Sequence, residues 1–196
     1  MSNLIRVAGF DPSLRNFGIV IADVDISQPD YPFKIVRMEL AQPKDEATKA
    51  KTVRKNSDDL RRATLLYKPF AQACQEVAFA FVEVPVGSQS SRAMASYGIC
   101  IGLLASCPVP MIQLTPSEVK MAGCGIKTAT KGEMIEAMHN EHPYAPWLTR
   151  KFKGEVVLTD TNEHLADAAA AIKAGLQTDE FRMTAAMLRN AQLRSA

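Results

Sequence analysis

Three acidic residues stand where acids are costly. Asp11 closes the apolar run LIRVAGF, Glu83 sits near the end of AFAFVEV, and Asp167 lies in HLADAAAA. A buried strand rarely accommodates a carboxylate, because an unpaired one is expensive to remove from water. If the strands carrying Asp11 and Glu83 are neighbours, two like charges meet at one sheet edge, and a cation must join them. Hard divalent cations prefer oxygen ligands, so Mg²⁺ is the expected partner, with Mn²⁺ able to substitute. His164 and Asp167 are three residues apart and share one helix face. The alanines that follow let this helix lie close against a sheet, which brings both side chains toward the strand-end acids. Each acid also has an ordinary reading. Asp-Pro is common in turns, and Glu83 could be a surface residue at a strand end. Asn162 or Thr161 could simply cap a helix, with Glu163 near its positive end. Asp167 lies too deep in the helix for that role, and the acids taken together favour a metal site. Asp160 competes as a ligand but falls outside the expected helix.

The elements that must position these residues follow from periodicity. Residues 4–10, 17–24 and 33–40 read as three strands joined by short turns, an antiparallel meander. The polar stretch 41–56 reads as a linker. Ser57, Asp58 and Asp59 begin a helix. Leu60, Ala63, Thr64, Tyr67, Phe70, Ala71 and Cys74 then recur at helical spacing, with Pro69 expected to kink or divide it. Residues 78–84 are a fourth strand and 110–115 a fifth. A helix spans about 92–105, with Ala93, Tyr97, Gly98, Ile101 and Gly102 suited to close packing. SEVKMAG and TKGEMIEAMHNEH are two helical pieces, 142–156 reads as irregular, and 162–176 and 179–194 are helices. Meander strands followed by right-handed crossovers give an α/β fold: a mixed five-stranded sheet, part antiparallel and part parallel, flanked by helices. The chain reads as one domain over residues 1–196, with a helical C-terminal extension from about 178.

With 196 residues, 47% of them hydrophobic, the chain can bury a sizeable core. No apolar run suits a membrane span or leader, so a cytosolic protein is expected. Cys74, Cys100, Cys107 and Cys124 form no CxxC pair and read as reduced thiols. A net charge of +2 does not by itself advertise nucleic-acid binding. The basic residues are nevertheless clustered. Lys44, Lys49, Lys51, Arg54 and Lys55 crowd one segment, and Arg150, Lys151 and Lys153 lie in a stretch without acids. His139 and His142 form an HxxH pattern with no further ligand at suitable spacing, and read as surface residues.

The order of several motifs resembles the RuvC-type Holliday junction resolvases of the RNase H-like superfamily. GFDPSLRNFG (9–18) is similar to that family's first motif, and FVEV (81–84) to its second. Gly98 falls at a family helix glycine. LTPSEVK (114–120) resembles Pro-x-x-Val-Lys. GCG with the following ATK (123–131) resembles Gly-x-Gly-x-Ala-x-Lys with two residues inserted. His164-Leu-Ala-Asp167 resembles the last motif.

The resemblance implies a homodimeric, Mg²⁺-dependent endonuclease resolving four-way junctions and other branched DNA, with two metal ions per site. It implies Asp11, Glu83, His164 and Asp167 as catalytic metal ligands. Lys120 and Lys131 would contact the scissile region, Lys131 as part of the catalytic set. Lys49, Lys51, Arg54, Arg150 and Lys151 are added as DNA contacts from charge clustering. The expected compartment is the cytosol, that of a bacterial host for a viral member. Ser13 stands in place of a family Gly, Phe17 in place of Thr, and Val86 where bacterial members commonly place a stacking Phe. Val cannot stack on bases, which points to a divergent member, viral or otherwise, with looser junction selectivity. Tyr144 or Trp147 could replace lost contacts, although Trp147 suits a core.

Three rival readings remain at this point. One is a nucleotide-binding protein of the actin and sugar-kinase class, which needs a second domain and phosphate loop. Another is a weak or inactive junction-binding relative. The last is a different nuclease on the same fold, such as an RNA–DNA hybrid nuclease.

Overall fold

The computed structural model describes residues 4–44 and 55–194. Five strands form one sheet: β1 (Leu4–Asp11), β2 (Phe17–Asp25), β3 (Phe33–Ala41), β4 (Phe79–Glu83) and β5 (Met111–Leu114). Their order is β3-β2-β1-β4-β5. β1, β2 and β3 pair antiparallel, whereas β4 pairs parallel with both β1 and β5. This is the mixed α/β sheet expected from the sequence.

The helices are α1 (Lys55–Glu76), α2 (Ser91–Ala105), α3 (Pro116–Cys124), α4 (Lys131–Glu141), α5 (Glu163–Leu176) and α6 (Asp179–Arg194). Thr115 with Glu118 and Thr130 with Glu133 form capping boxes that start α3 and α4, each satisfying two orphan backbone donors. Strand alternation divides the core in two. Ala8, Phe10, Ile19, Ala80 and Val82 face α1 and α2, where Phe10, Phe17 and Phe70 cluster with ring centroids 5.1–5.8 Å apart. Phe17 therefore fills this core. Val7, Val20, Phe79, Phe81, Ile112 and Leu114 face α5 and its neighbours. The C-terminal helix joins that core through Phe181, which packs on Phe79, Phe81 and Tyr31.

Close approach of α5 to the sheet depends on two glycines. A Cβ on Gly9 would stand 2.0 Å from the Ala168 carbonyl oxygen, and one on Gly18 would stand 2.1 Å from that of His164. Ala168 to Ala171 are fully buried. The small-residue run thus seats the helix backbone almost directly on β1 and β2.

Four local expectations need correction. Pro69 lies inside α1 without dividing it, and the helix begins at Lys55, before Ser57. Residues 142–156 are not wholly irregular: β6 (Thr149–Phe152) and β7 (Glu155–Leu158) form an antiparallel hairpin. Its strands are short and largely exposed, so no hydrophobic alternation announced them. Asn162 makes no side-chain cap to α5; it is fully buried and bonds elsewhere. His139 and His142 are half-buried, with His139 edge-on to Trp147 and His142 against Phe33. Trp147 is buried. All four cysteines are free. Among the described residues no helix is long and apolar enough to cross a membrane.

Candidate active site

The strand register brings the first two acids together. Val7 and Gly9 face α5, so two-residue alternation turns Asp11 to the same side. Phe79 and Phe81 likewise set Glu83 on that side. Phe10 pairs with Val82, which places Asp11 and Glu83 side by side at the ends of adjacent parallel strands. Gly18 pairs with Asp11 across the antiparallel edge, and the close contact of Gly18 with His164 delivers the N-terminal turns of α5 to the same spot.

His164 Nδ1 lies 2.6 Å from Asp11 Oδ2, and its Nε2 lies 3.3 Å from Glu163 Oε1. Burial works against the imidazolium, but the hydrogen bond to Asp11 and the surrounding carboxylates outweigh it and raise the His164 pKa. Burial, with the charges of Asp11 and Asp167, pushes the Glu83 carboxyl up to about 8. Burial, then the charge of Asp11, pushes Asp167 up to about 7. Lys120 and His164 partly offset both shifts. The structure thus gathers Asp11, Glu83, His164 and Asp167 into one half-buried group. Charge crowding of this kind at strand ends marks a functional-site candidate.

The donor set fits a hard divalent cation. Three carboxylates and an imidazole share a space whose negative charge Lys120 and His164 do not fully compensate. Among the described residues no three such side chains converge closely enough to chelate an ion as they stand. Ligation therefore requires side-chain rotation within the cluster, beginning with the bond between His164 and Asp11.

The other expected residues distribute around this centre. Lys120, on α3, is near enough for its charge to act on Glu83 and Asp167. Lys131, at the start of α4, is 78% exposed and bonds Glu163 at 2.6–2.8 Å; that contact raises its pKa. Arg150 and Lys151 lie on the exposed hairpin. Lys49, Lys51 and Arg54 lie outside the described residues. Asp160 is exposed in the short 3₁₀ turn before α5. Val86 is 58% exposed in the loop after β4. In the loop after β1, Ser13 Oγ donates to Asn16 O at 2.6 Å and accepts from Asn16 N–H at 3.0 Å. Ser13 thereby closes that turn through its side chain.

Two features escaped the sequence reading. Glu163 reads as a helix-terminus acid, yet it bridges Lys131 and His164. Beside the β1–β2 loop, an open cavity of about 450 Å³ is lined by Ser13, Arg15, Asn16, Arg62 and Arg92 among others. Arg62 is held by Asp58 and Arg92 by Asp59. No motif or charge run pointed to these arginines, which converge only in the fold.

No protein-family model matches the chain. Two crossover junction endodeoxyribonucleases named RuvC are similar in sequence. Those of Synechococcus strains CC9605 and RCC307 are 23% and 25% identical over 137 residues, 70% of this chain and 83% of each relative. Thermus thermophilus RuvC, solved in complex with a Holliday junction substrate, superposes with a TM-score of 0.62 at 17% identity. That match covers 92% of this chain and 97% of the other. The yeast mitochondrial Holliday junction resolvase Ydc2 matches with a TM-score of 0.55 at 13% identity, covering 93% and 83%. At these identities the solved structures establish the RNase H-like fold. In sequence and in the order of its motifs the chain is similar to the RuvC-type Holliday junction resolvases, and divergent from them.

Proposed function

We propose that the chain is a structure-selective DNA endonuclease that resolves four-way junctions by metal-dependent phosphodiester hydrolysis. The observation that carries this reading is the group Asp11, Glu83, His164 and Asp167 at the ends of two parallel strands. It stands in a fold shared with a RuvC bound to junction DNA.

Asp11, Glu83 and Asp167 would hold divalent cations, Mg²⁺ or Mn²⁺, with His164 as a fourth ligand. Two such ions would supply an activated water and would stabilise the leaving 3′ oxygen. The remaining work belongs to the chain. Without metal, Asp11 and Glu163 hold the His164 ring from its two nitrogens; the Asp11 contact must give way for His164 to ligate, and Glu163 then orients the ring from Nε2. Lys120 and Lys131 bring positive charge to the scissile phosphate, where electrostatic stabilisation matters more than covalent help. Lys131 must exchange its Glu163 partner for phosphate. Arg150 and Lys151, with Lys49, Lys51 and Arg54, supply phosphate contacts along the DNA.

Symmetric cleavage calls for a homodimer, and α2 offers a face for one. Met94 and Ile101 are each 46% exposed, while Gly98 and Gly102 have open space above them. These residues recur at i, i+4, i+7 and i+8, one stripe of the helix, and a stripe of this kind suits an isologous contact with a second copy.

The test is cleavage of four-way-junction, fork and linear duplex DNA in Mg²⁺ and in EDTA. Paired symmetric nicks on the junction, lost in EDTA and in Asp11→Asn, are the expected result. Tight junction binding without any cleavage would replace this reading with a junction-binding protein that lacks catalysis.

A further inference from the structure

The β6–β7 hairpin is not explained by the carboxylate site. Its register runs from Thr149↔Leu158 to Phe152↔Glu155. The turn contains Lys153 at φ 50° and Gly154 at φ 89°. Two consecutive positive φ values make a tight turn whose twist matches the strands it joins. A two-stranded ribbon alone in water is marginally stable, but this one is fastened at its base. The fully buried Asn162 side chain accepts from Leu148 N–H at 2.9 Å. Its amide donates to Leu148 O at 2.8 Å and Thr159 O at 3.0 Å, and Thr159 N–H donates to Leu148 O at 3.1 Å. Asn162 directly precedes α5 and stands two residues before His164. The hairpin is therefore tied to the helix that carries His164 and Asp167.

At the far end, Thr149 to Phe152 are all exposed. Phe152 is 50% exposed, with the Arg150 guanidinium and the Lys153 ammonium each 5.4 Å from its ring centroid. Residues 149–158 carry three basic side chains and one acid, Glu155. An exposed aromatic ring flanked by positive charges is the chemistry that receives a nucleobase with its phosphates. A base inside a duplex already has both faces stacked, so the ring needs one that is unpaired or splayed. Branched DNA offers such bases where its arms meet.

We propose that the β6–β7 hairpin is a second nucleic-acid contact, in which Phe152 stacks on an unpaired base of branched DNA while Arg150 and Lys153 hold the adjoining phosphates. The identity of the polymer rests on the nuclease reading. Asn162 acts as a positioning residue that keeps this contact in register with α5.

The experiment uses the full chain and four-way junctions carrying 2-aminopurine at positions around the branch point, titrated in EDTA. The proteins are the unaltered chain, Phe152→Ala, Phe152→Trp and Tyr67→Ala. Tyr67, on α1, is 50% exposed and serves as the control aromatic. The unaltered protein should change the fluorescence of one probe position. Phe152→Ala should abolish that change and weaken junction binding on the order of tenfold, with linear duplex binding unaltered. Phe152→Trp and Tyr67→Ala should retain both. A signal that survives Phe152→Ala, a signal lost in Tyr67→Ala, or an equal loss of duplex affinity overturns the proposal. Cleavage of the same junctions in Mg²⁺ separates the two readings. A protein that cleaves but shows no Phe152-dependent signal refutes the hairpin contact alone. One that shows the signal but cleaves nothing refutes the nuclease and leaves the hairpin contact standing.

Discussion

The His164 carbonyl oxygen lies where a side chain on Gly18 would begin, 2.1 Å from the position of its Cβ. Gly18 in turn pairs with Asp11, so a contact between backbones sets the distance between a strand-end acid and the helix that answers it. Gly18→Ala should push the N-terminal turn of α5 off the sheet. Overpacking of this kind costs about 1–3 kcal/mol. Urea unfolding should register the loss, and cleavage should fall further than the residual folded fraction explains.

The raised carboxyl groups predict how stability depends on pH. Glu83 is pushed to about 8 and Asp167 to about 7, both above their ordinary range. The folded state then binds more protons than the unfolded chain between about pH 4 and 8. This contribution to stability is present at low pH and is lost as pH rises through 7 and 8. Calorimetry in EDTA should show the melting temperature falling across that range, and Glu83→Gln should flatten the decline. Added Mg²⁺ should restore stability at pH 8 by binding the ionised form. A pH-independent melting curve in EDTA would contradict the charge crowding.

Asp11→Asn should abolish cleavage while leaving DNA binding largely intact. It also removes the strongest contribution raising the His164 pKa. NMR titration of the imidazole should therefore show His164 losing its proton at lower pH in the variant. Loss of folding instead of activity would count against the metal-ligand role.

Asn162→Ala deletes the bonds to Leu148 and Thr159 and leaves backbone groups of the hairpin base without partners. An unsatisfied buried group costs about 1–3 kcal/mol. Hydrogen exchange should accelerate at Leu148 and through β6 and β7, while β1 and β4 remain protected.

Affinity for branched DNA should fall steeply with salt, because basic side chains release counterions from phosphates. Replacing Lys151 with Ala should lower the slope of log K against log salt by about one. A flat salt response in the unaltered protein would exclude the phosphate track.

The sequence alone pointed to the sheet strands, most helices and the four residues that the fold brings together. Strand-end acids such as Asp11 and Glu83 stand out because apolar neighbours make their cost visible, and His164 and Asp167 because helical spacing is short-range. These signals are local, written within a few residues of the chain. What the tertiary structure decided is non-local. Glu163 becomes a bridge between Lys131 and His164 only once α4 lies beside α5. Asn162 changes from an expected cap to a buried anchor because Leu148 arrives from across the hairpin. The hairpin itself is too short and exposed to carry a hydrophobic pattern. Gly9 and Gly18 read in sequence only as the two ends of a motif, and their need for a bare Cα appears only when α5 is laid on the sheet. Propensity reads the chain through its neighbours in sequence, whereas the cost of a misplaced atom is set by neighbours in space.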